Sequence, residues 1–353
     1  MKKTYLIFAC VALAFSNSIN AQSVSTVPVG YTTVTINGSP DGSVPAFTAV
    51  SAGLQNEALY RGSITSDANS AVLTDSNANN TANAYAATDA AGNPSYFVQI
   101  MSGANEGLIL DIVANNANTY TTGSDLTGLV SSGDRYAIKA YPTLSNIFGA
   151  NNEAGLTSGG DFLNSDLIYL MSTDGAASFA TYYYQTDTTG FFGGNGWRVV
   201  GDSYTDMSNV VVAPDDGLMV RRISTGDLSV VVSGSVNVVK HSRDLPAGFS
   251  LVAYPFPVDV TLGDSGIYTS SNGYVSESDS SNSDVVYIIG SDGIFKTYYY
   301  QTDASGFFGG NGWRAVGDTT TDVADTVIGA GSSVIVLHRG NGLAWRDAVP
   351  FSF

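Results

Sequence analysis

The chain has 353 residues with 31 acidic and 14 basic side chains, a formal net charge of −17. So large an excess of carboxylates repels polyanions, which excludes nucleic acid and anionic headgroups as partners and leaves cations, neutral glycans and basic surfaces open. The one cysteine, Cys10, falls inside the leader described next, so the mature chain forms neither a disulfide nor a thiolate metal site.

The N-terminus carries Lys2 and Lys3, an apolar run from Tyr5 to Phe15, and small Ala21 before Gln22. This pattern predicts a secretory signal peptide over residues 1–21, too short in its apolar run for a permanent membrane helix. Cys10 lies in the middle of that run, whereas a lipoprotein cysteine would end it. Cleavage leaves 12 basic against 31 acidic side chains, a net charge of −19. The destination is extracellular, cell surface or periplasm. No later segment reaches the ~18 consecutive apolar residues of a spanning helix, so no transmembrane helix is expected.

Residues 22–132 read as an N-terminal β-rich segment. Strands are expected at Val29 to Ile36, Tyr96 to Met101 and Gly107 to Val113, while 67–94, dominated by Ala, Asn, Ser, Thr and Asp, reads as a long exposed polar loop.

The rest of the chain repeats itself. Thr181 to Asp206 returns as Thr297 to Asp322 at a constant offset of 116, with 21 of 26 positions identical. Fainter matches extend it: Asp166 to Gly175 with Asp284 to Gly293, Tyr136 to Pro142 with Phe249 to Pro255, and Gly217 to Val230 with Ser332 to Trp345. The units are therefore placed at 133–236 and 248–353, joined by a linker at 237–247. Within each, a Tyr-rich run, a Gly-Asn-Gly turn (194–196 and 310–312) and an apolar strand beginning at Trp197 or Trp313 make a hairpin. Further strands are expected at Asp166 to Leu170, Leu218 to Arg222, Ser229 to Val239 and Val334 to His338. No amphipathic helix is expected beyond the leader. The fold class is all-β: antiparallel strands in two tandem duplicated units, sandwich- or barrel-like, behind the N-terminal β segment.

The exported N-terminus, the early strand Val29 to Val34, the stretch Tyr96 to Val113 and the two TYYY…GWR…VGD hairpins resemble an uncharacterised family of exported bacterial β-rich proteins found mainly in verrucomicrobia-like bacteria. The resemblance covers nearly the whole mature chain. It implies architecture and export and carries no assigned activity; the turn between TYYY and GWR is longer here than the short Asn-Gly turn usual in that family.

Several motifs are better explained as turns. Gly263-Asp264-Ser265-Gly266 looks like a serine-protease loop, but the only histidines, His241 and His338, lack the context of a catalytic base. The glycines of 190–196 lack the Lys-Ser/Thr ending and the helix of a phosphate loop. Acids recur in pairs: Asp174 with Asp292, Asp187 with Asp303, Asp202 with Asp318, Asp206 with Asp322. Asp202, Asp206, Asp318 and Asp322 offer oxygens to a calcium ion, but no stretch has the EF-hand spacing and aspartate also stabilises turns. Tyr183, Trp197, Tyr299 and Trp313 are the candidates for an aromatic face that stacks on sugar rings. Core packing competes with that reading and is preferred for the two tryptophans, because Trp197 shares a strand face with Val199 and Trp313 with Ala315. Arg198 and Arg314 then point the other way, toward solvent or the repeated acids.

These features lead to the expectation of an exported structural or glycan-binding β-protein, with glycans or other envelope components as partners and no catalytic residue identified. A secreted polysaccharide hydrolase using paired carboxylates is the alternative, and an outer-membrane barrel, suggested by the terminal Phe353, is a further one.

Overall fold

The computed structural model describes residues 27–172, 176–290, 292–307 and 309–351. The leader, Asp174 and Phe353 lie outside the described residues. The chain's regular secondary structure is almost entirely antiparallel strand. β1 (Val29–Ile36) and β2 (Ala46–Ser51) come first. β3 (Ala58–Ser63), β4 (Val72–Thr74), β5 (Tyr96–Ile100), β6 (Ile109–Asn115), β7 (Thr119–Thr122) and β8 (Arg135–Ala140) then make a six-stranded sheet of order β3-β8-β5-β6-β7-β4. A short helix, α1 (Leu144–Phe148), follows, its first turn closed by a reciprocal capping box between Thr143 and Asn146.

The first five-stranded sheet combines β2 with β9 (Leu167–Met171), β10 (Phe179–Gln185), β11 (Gly196–Val199) and β12 (Gly217–Arg222) in the order β11-β10-β9-β12-β2. β13 (Leu228–Ser235) returns to pair with β1. β14 (His241–Leu245), β15 (Gly248–Ala253), β16 (Val260–Thr261), β17 (Val285–Ile289), β18 (Phe295–Gln301), β19 (Gly312–Ala315), β20 (Val327–Ile328), β21 (Ser333–His338) and β22 (Leu343–Asp347) complete the chain. They form a second five-stranded sheet, β15-β21-β17-β18-β19, and the pairs β14·β22 and β16·β20. None of these sheets closes on itself.

Alternation explains the ribbons. In β13, Val230 and Val232 are buried and Val231 between them is exposed; in β1, Val34 and Ile36 turn the same way. Those four side chains share one apolar cluster with Ile168, Trp197, Leu218 and Val220 of the first five-stranded sheet, giving a small sandwich. Leu343 and Trp345 of β22 cover Val252, Val286 and Val336 of the second sheet in the same manner.

Apart from β4, the three large sheets follow one path: first strand, last strand, then second, third and fourth. The expected match of Tyr136 to Pro142 with Phe249 to Pro255 is not how the sheets are built. β15 has β2 as its counterpart, and β8 lies between β3 and β5 in the six-stranded sheet. An alternating run such as Arg135 to Ala140 fits several sheets, and pairing decides among them. The two five-stranded sheets meet edge to edge: Val50 bridges Ser332 and Val252 bridges Asp216. Ser51 N–H donates to Gly331 O at 2.7 Å and Ala253 N–H to Asp215 O at 3.0 Å.

The stretch 67–94 holds more structure than an exposed loop. It contains β4, and Leu73, Asp75 and Asp89 are buried. Asp75 accepts from the Tyr136 hydroxyl at 2.9 Å, and Asp89 accepts from the N–H groups of Ala91, Asn93 and Val211. A segment rich in Asp and Asn supplies its own acceptors and fixes its backbone through them.

Candidate functional site

The two hairpins pair in one register: Tyr183 faces Arg198 and Tyr184 faces Trp197, as Tyr299 faces Arg314 and Tyr300 faces Trp313. All four candidate rings are buried: Tyr183 is 4%, Trp197 0%, Tyr299 2% and Trp313 3% exposed. Trp197 packs edge-on against Tyr184 and donates its Nε1–H to Gly149 O at 2.9 Å. Trp313 lies edge-on to Tyr274 and Tyr300. These four rings therefore present no open platform to a sugar.

Arg198 and Arg314 are buried rather than solvent-facing, and Arg314 Nη1 lies 3.9 Å from Asp322 Oδ2, one of the repeated acids that alternation also allowed. Each guanidinium gathers carbonyls of its own turn. Arg198 donates to Ser203 O at 2.8 Å, Trp197 O and Gly193 O at 3.0 Å and Gly194 O at 3.1 Å. Arg314 repeats this with Thr319, Trp313, Gly309 and Gly310. A glycine-rich turn exposes carbonyls that no strand satisfies, and a five-donor fork meets several of them at once.

The four aspartates considered for calcium are engaged locally. Asp202 accepts from Tyr204 and Thr205 N–H, Asp318 from Thr320 and Thr321 N–H, Asp206 from Ser208, and Asp322 from Ala324 N–H. The Thr205 hydroxyl holds the Asp202 carboxyl below its ordinary range, and the Thr321 hydroxyl does so for Asp318. Among the described residues no three metal-ligating side chains come together. Ser265 of the Gly-Asp-Ser-Gly segment is buried and donates to Leu262 O, as a turn residue does.

A different place gathers chemistry. Where the six-stranded sheet, the first five-stranded sheet and β14 meet, a groove of about 950 Å³ opens. Period-two alternation on β6 buries Leu110 and Ile112 and turns Asp111 outward. The chain after β8 adds Tyr141, stacked on Phe97 with ring centroids 4.5 Å apart. Asp215 and Asp216 come from the turn before β12, and Ser242 and Arg243 from β14. Leu108 bridges Ser242 here, and a side chain at Gly107 would collide with the Lys240 carbonyl, so glycine permits the approach of β14.

The Tyr141 hydroxyl donates to Asp111 Oδ1 at 2.7 Å. Arg243 Nη2 donates to Asp216 Oδ1 at 2.6 Å, and its Nη1 lies 3.5 Å from Asp215 Oδ2 and donates to the Asp215 carbonyl. Burial opposes the charge of Arg243, but Asp215 and Asp216 outweigh it and hold the pKa above its ordinary value. Burial pushes the Asp216 carboxyl up, Arg243 opposing and Asp215 adding to the push. Burial, with Asp111 adjacent, likewise raises the Tyr141 phenol. Asp111, Tyr141, Asp215, Asp216 and Arg243 were not among the sequence candidates. Their only local signal is an acid pair ahead of a strand, which is also what a turn looks like. No helix among the described residues is long and apolar enough to cross a membrane. No protein-family model, curated protein or solved structure matches the chain.

Proposed function

We propose that the chain is an exported, non-enzymatic β-protein of the cell surface or extracellular space that binds glycans, and that the groove is its binding face. Export rests on the leader pattern, and the groove carries the binding reading. Its volume suits a small oligosaccharide. Its wall combines exposed Phe179 and Leu129 with carboxylates, hydroxyls and Arg243, the mix of apolar faces and hydrogen-bonding groups that sugar rings require.

A second reading, a secreted polysaccharide hydrolase, is favoured by one observation: Asp216 has a raised carboxyl pKa in a groove that also holds Asp111 and Asp215. Against it, Asp215 and Asp216 share one guanidinium, so Asp216 is engaged in an ion pair rather than held ready as a proton donor. The test is a glycan array with the purified mature chain, repeated with Phe179→Ala, followed by a reducing-end assay on each glycan retained. Retention lost in Phe179→Ala without release of reducing ends supports binding. Turnover abolished by Asp216→Asn supports hydrolysis, and no retention of any glycan overturns both.

A further inference from the structure

Resting on the groove reading above, we infer that the groove selects ligands carrying a protonated amine, which among glycans means amino sugars whose nitrogen is free rather than acetylated. Asp111, Asp215, Asp216 and Asp244 line the groove, and Arg243 is the only cationic side chain in its wall among the described residues. That single guanidinium is shared between Asp215 and Asp216. Asp244 meets Arg346 at 2.6 Å, but this pair is exposed and its attraction is screened. Asp111 has only the neutral Tyr141 hydroxyl. The groove thus holds more negative charge than its own cation offsets, and concave walls of low dielectric concentrate that field.

A separate observation concerns Ser242. The residue is 4% exposed, it lines the same groove, and its Oγ has no hydrogen-bond partner. Buried hydroxyls are ordinarily satisfied, so an unmatched one in a groove wall is a polar point left for a ligand. An ammonium group has three donors and no acceptor. The carboxylate oxygens and Ser242 Oγ are all able to accept, and such a donor-only group matches them. Acetylation removes the charge and adds an acceptor, which these oxygens repel.

The experiment is titration calorimetry of the mature chain with a β-1,4-linked glucosamine oligomer and with its fully N-acetylated counterpart, at low and high salt. The free-amine oligomer is expected to bind at least about tenfold more tightly, with the advantage shrinking as salt screens the groove. Asp111→Asn keeps an acceptor for Tyr141 and removes the charge, so it should reduce that preference without moving the melting temperature. Equal affinity for the two oligomers overturns the amine inference and leaves glycan binding standing. So does failure of both oligomers while a neutral glycan is retained in the groove. Amine binding unaffected by both Asp111→Asn and Asp244→Asn places the ligand elsewhere and overturns the inference, and retention of no glycan of any kind overturns the groove reading with it.

Discussion

Asp284 Oδ2 lies 2.7 Å from His338 Nδ1 in the second five-stranded sheet, at the position where Asp166 meets Arg222 Nη1 at 2.9 Å in the first. Both carboxylates are fully buried. Each also accepts two backbone N–H groups, Asp166 from Thr157 and Ile223, Asp284 from Val275 and Arg339. The two sheets therefore lock β9 to β12 and β17 to β21 with the same acid and different bases. Asp166→Ala leaves a guanidinium buried without its counterion and should cost about 3–5 kcal/mol. Asp284→Ala leaves an imidazole, which can be neutral, and should cost about 1–3 kcal/mol. Urea unfolding of the two variants compares them directly, and equal losses would overturn the assignment of the larger cost to the buried guanidinium.

Much of the hairpin was legible in the sequence, since Tyr-rich runs, Gly-Asn-Gly turns and the constant offset are local signals. The partners of these strands were not. β2 pairs with β12 across a sequence gap filled by the whole six-stranded sheet, and no local pattern in Ala46 to Ser51 distinguishes it from a strand of the neighbouring sheet. Arg198 and Arg314 were unreadable for another reason: alternation puts them opposite Trp197 and Trp313, and only the folded turn shows that this face is closed by carbonyls rather than water. The groove is non-local throughout, assembled from 111, 141, 215–216 and 242–243.

The tryptophans make the second prediction. Trp197 and Trp313 each fill the centre of a separate core, so replacing either with alanine should cost about 3–5 kcal/mol through lost burial and the cavity left behind. Thermal melts of the single variants measure this. Glycan retention by the surviving folded fraction should be unchanged, because neither ring lines the groove. Unchanged melting temperatures in both variants would overturn their assignment to the core.

Arg198→Lys is the third. Lysine keeps the charge but replaces a planar fork by a single ammonium, which cannot meet Gly193, Gly194 and Ser203 carbonyls together. Leaving buried carbonyls unsatisfied should cost about 1–3 kcal/mol. The loss should be concentrated in the turn, so amide exchange over 187–196 should quicken while exchange in β9 and β12 stays slow. Uniform quickening across the sheet would mean that the arginine supports the core and not the turn.

The last prediction is a pH dependence centred on His241, which is 3% exposed and packs edge-on against Trp345 with ring centroids 4.6 Å apart. Burial lowers its pKa from 6.5 to about 4, overcoming the opposing attraction of Asp215. Since the folded value lies below the unfolded one, the unfolded chain binds more protons between these pH values. Stability is therefore full above pH 6.5 and declines as pH falls toward 4. At about 1.4 kcal/mol per pH unit the loss reaches up to about 3 kcal/mol. His241→Phe keeps a ring against Trp345 and removes the titration, so the difference in unfolding free energy between variant and native chain should grow in the variant's favour on acidification. Asp216 and the other carboxylates titrate in both proteins and cancel in that difference. Urea unfolding at pH 7.5, 5.5 and 4 gives the comparison. Parallel curves for the two proteins would show that the imidazole is protonated inside the fold, with Asp215 compensating for its burial.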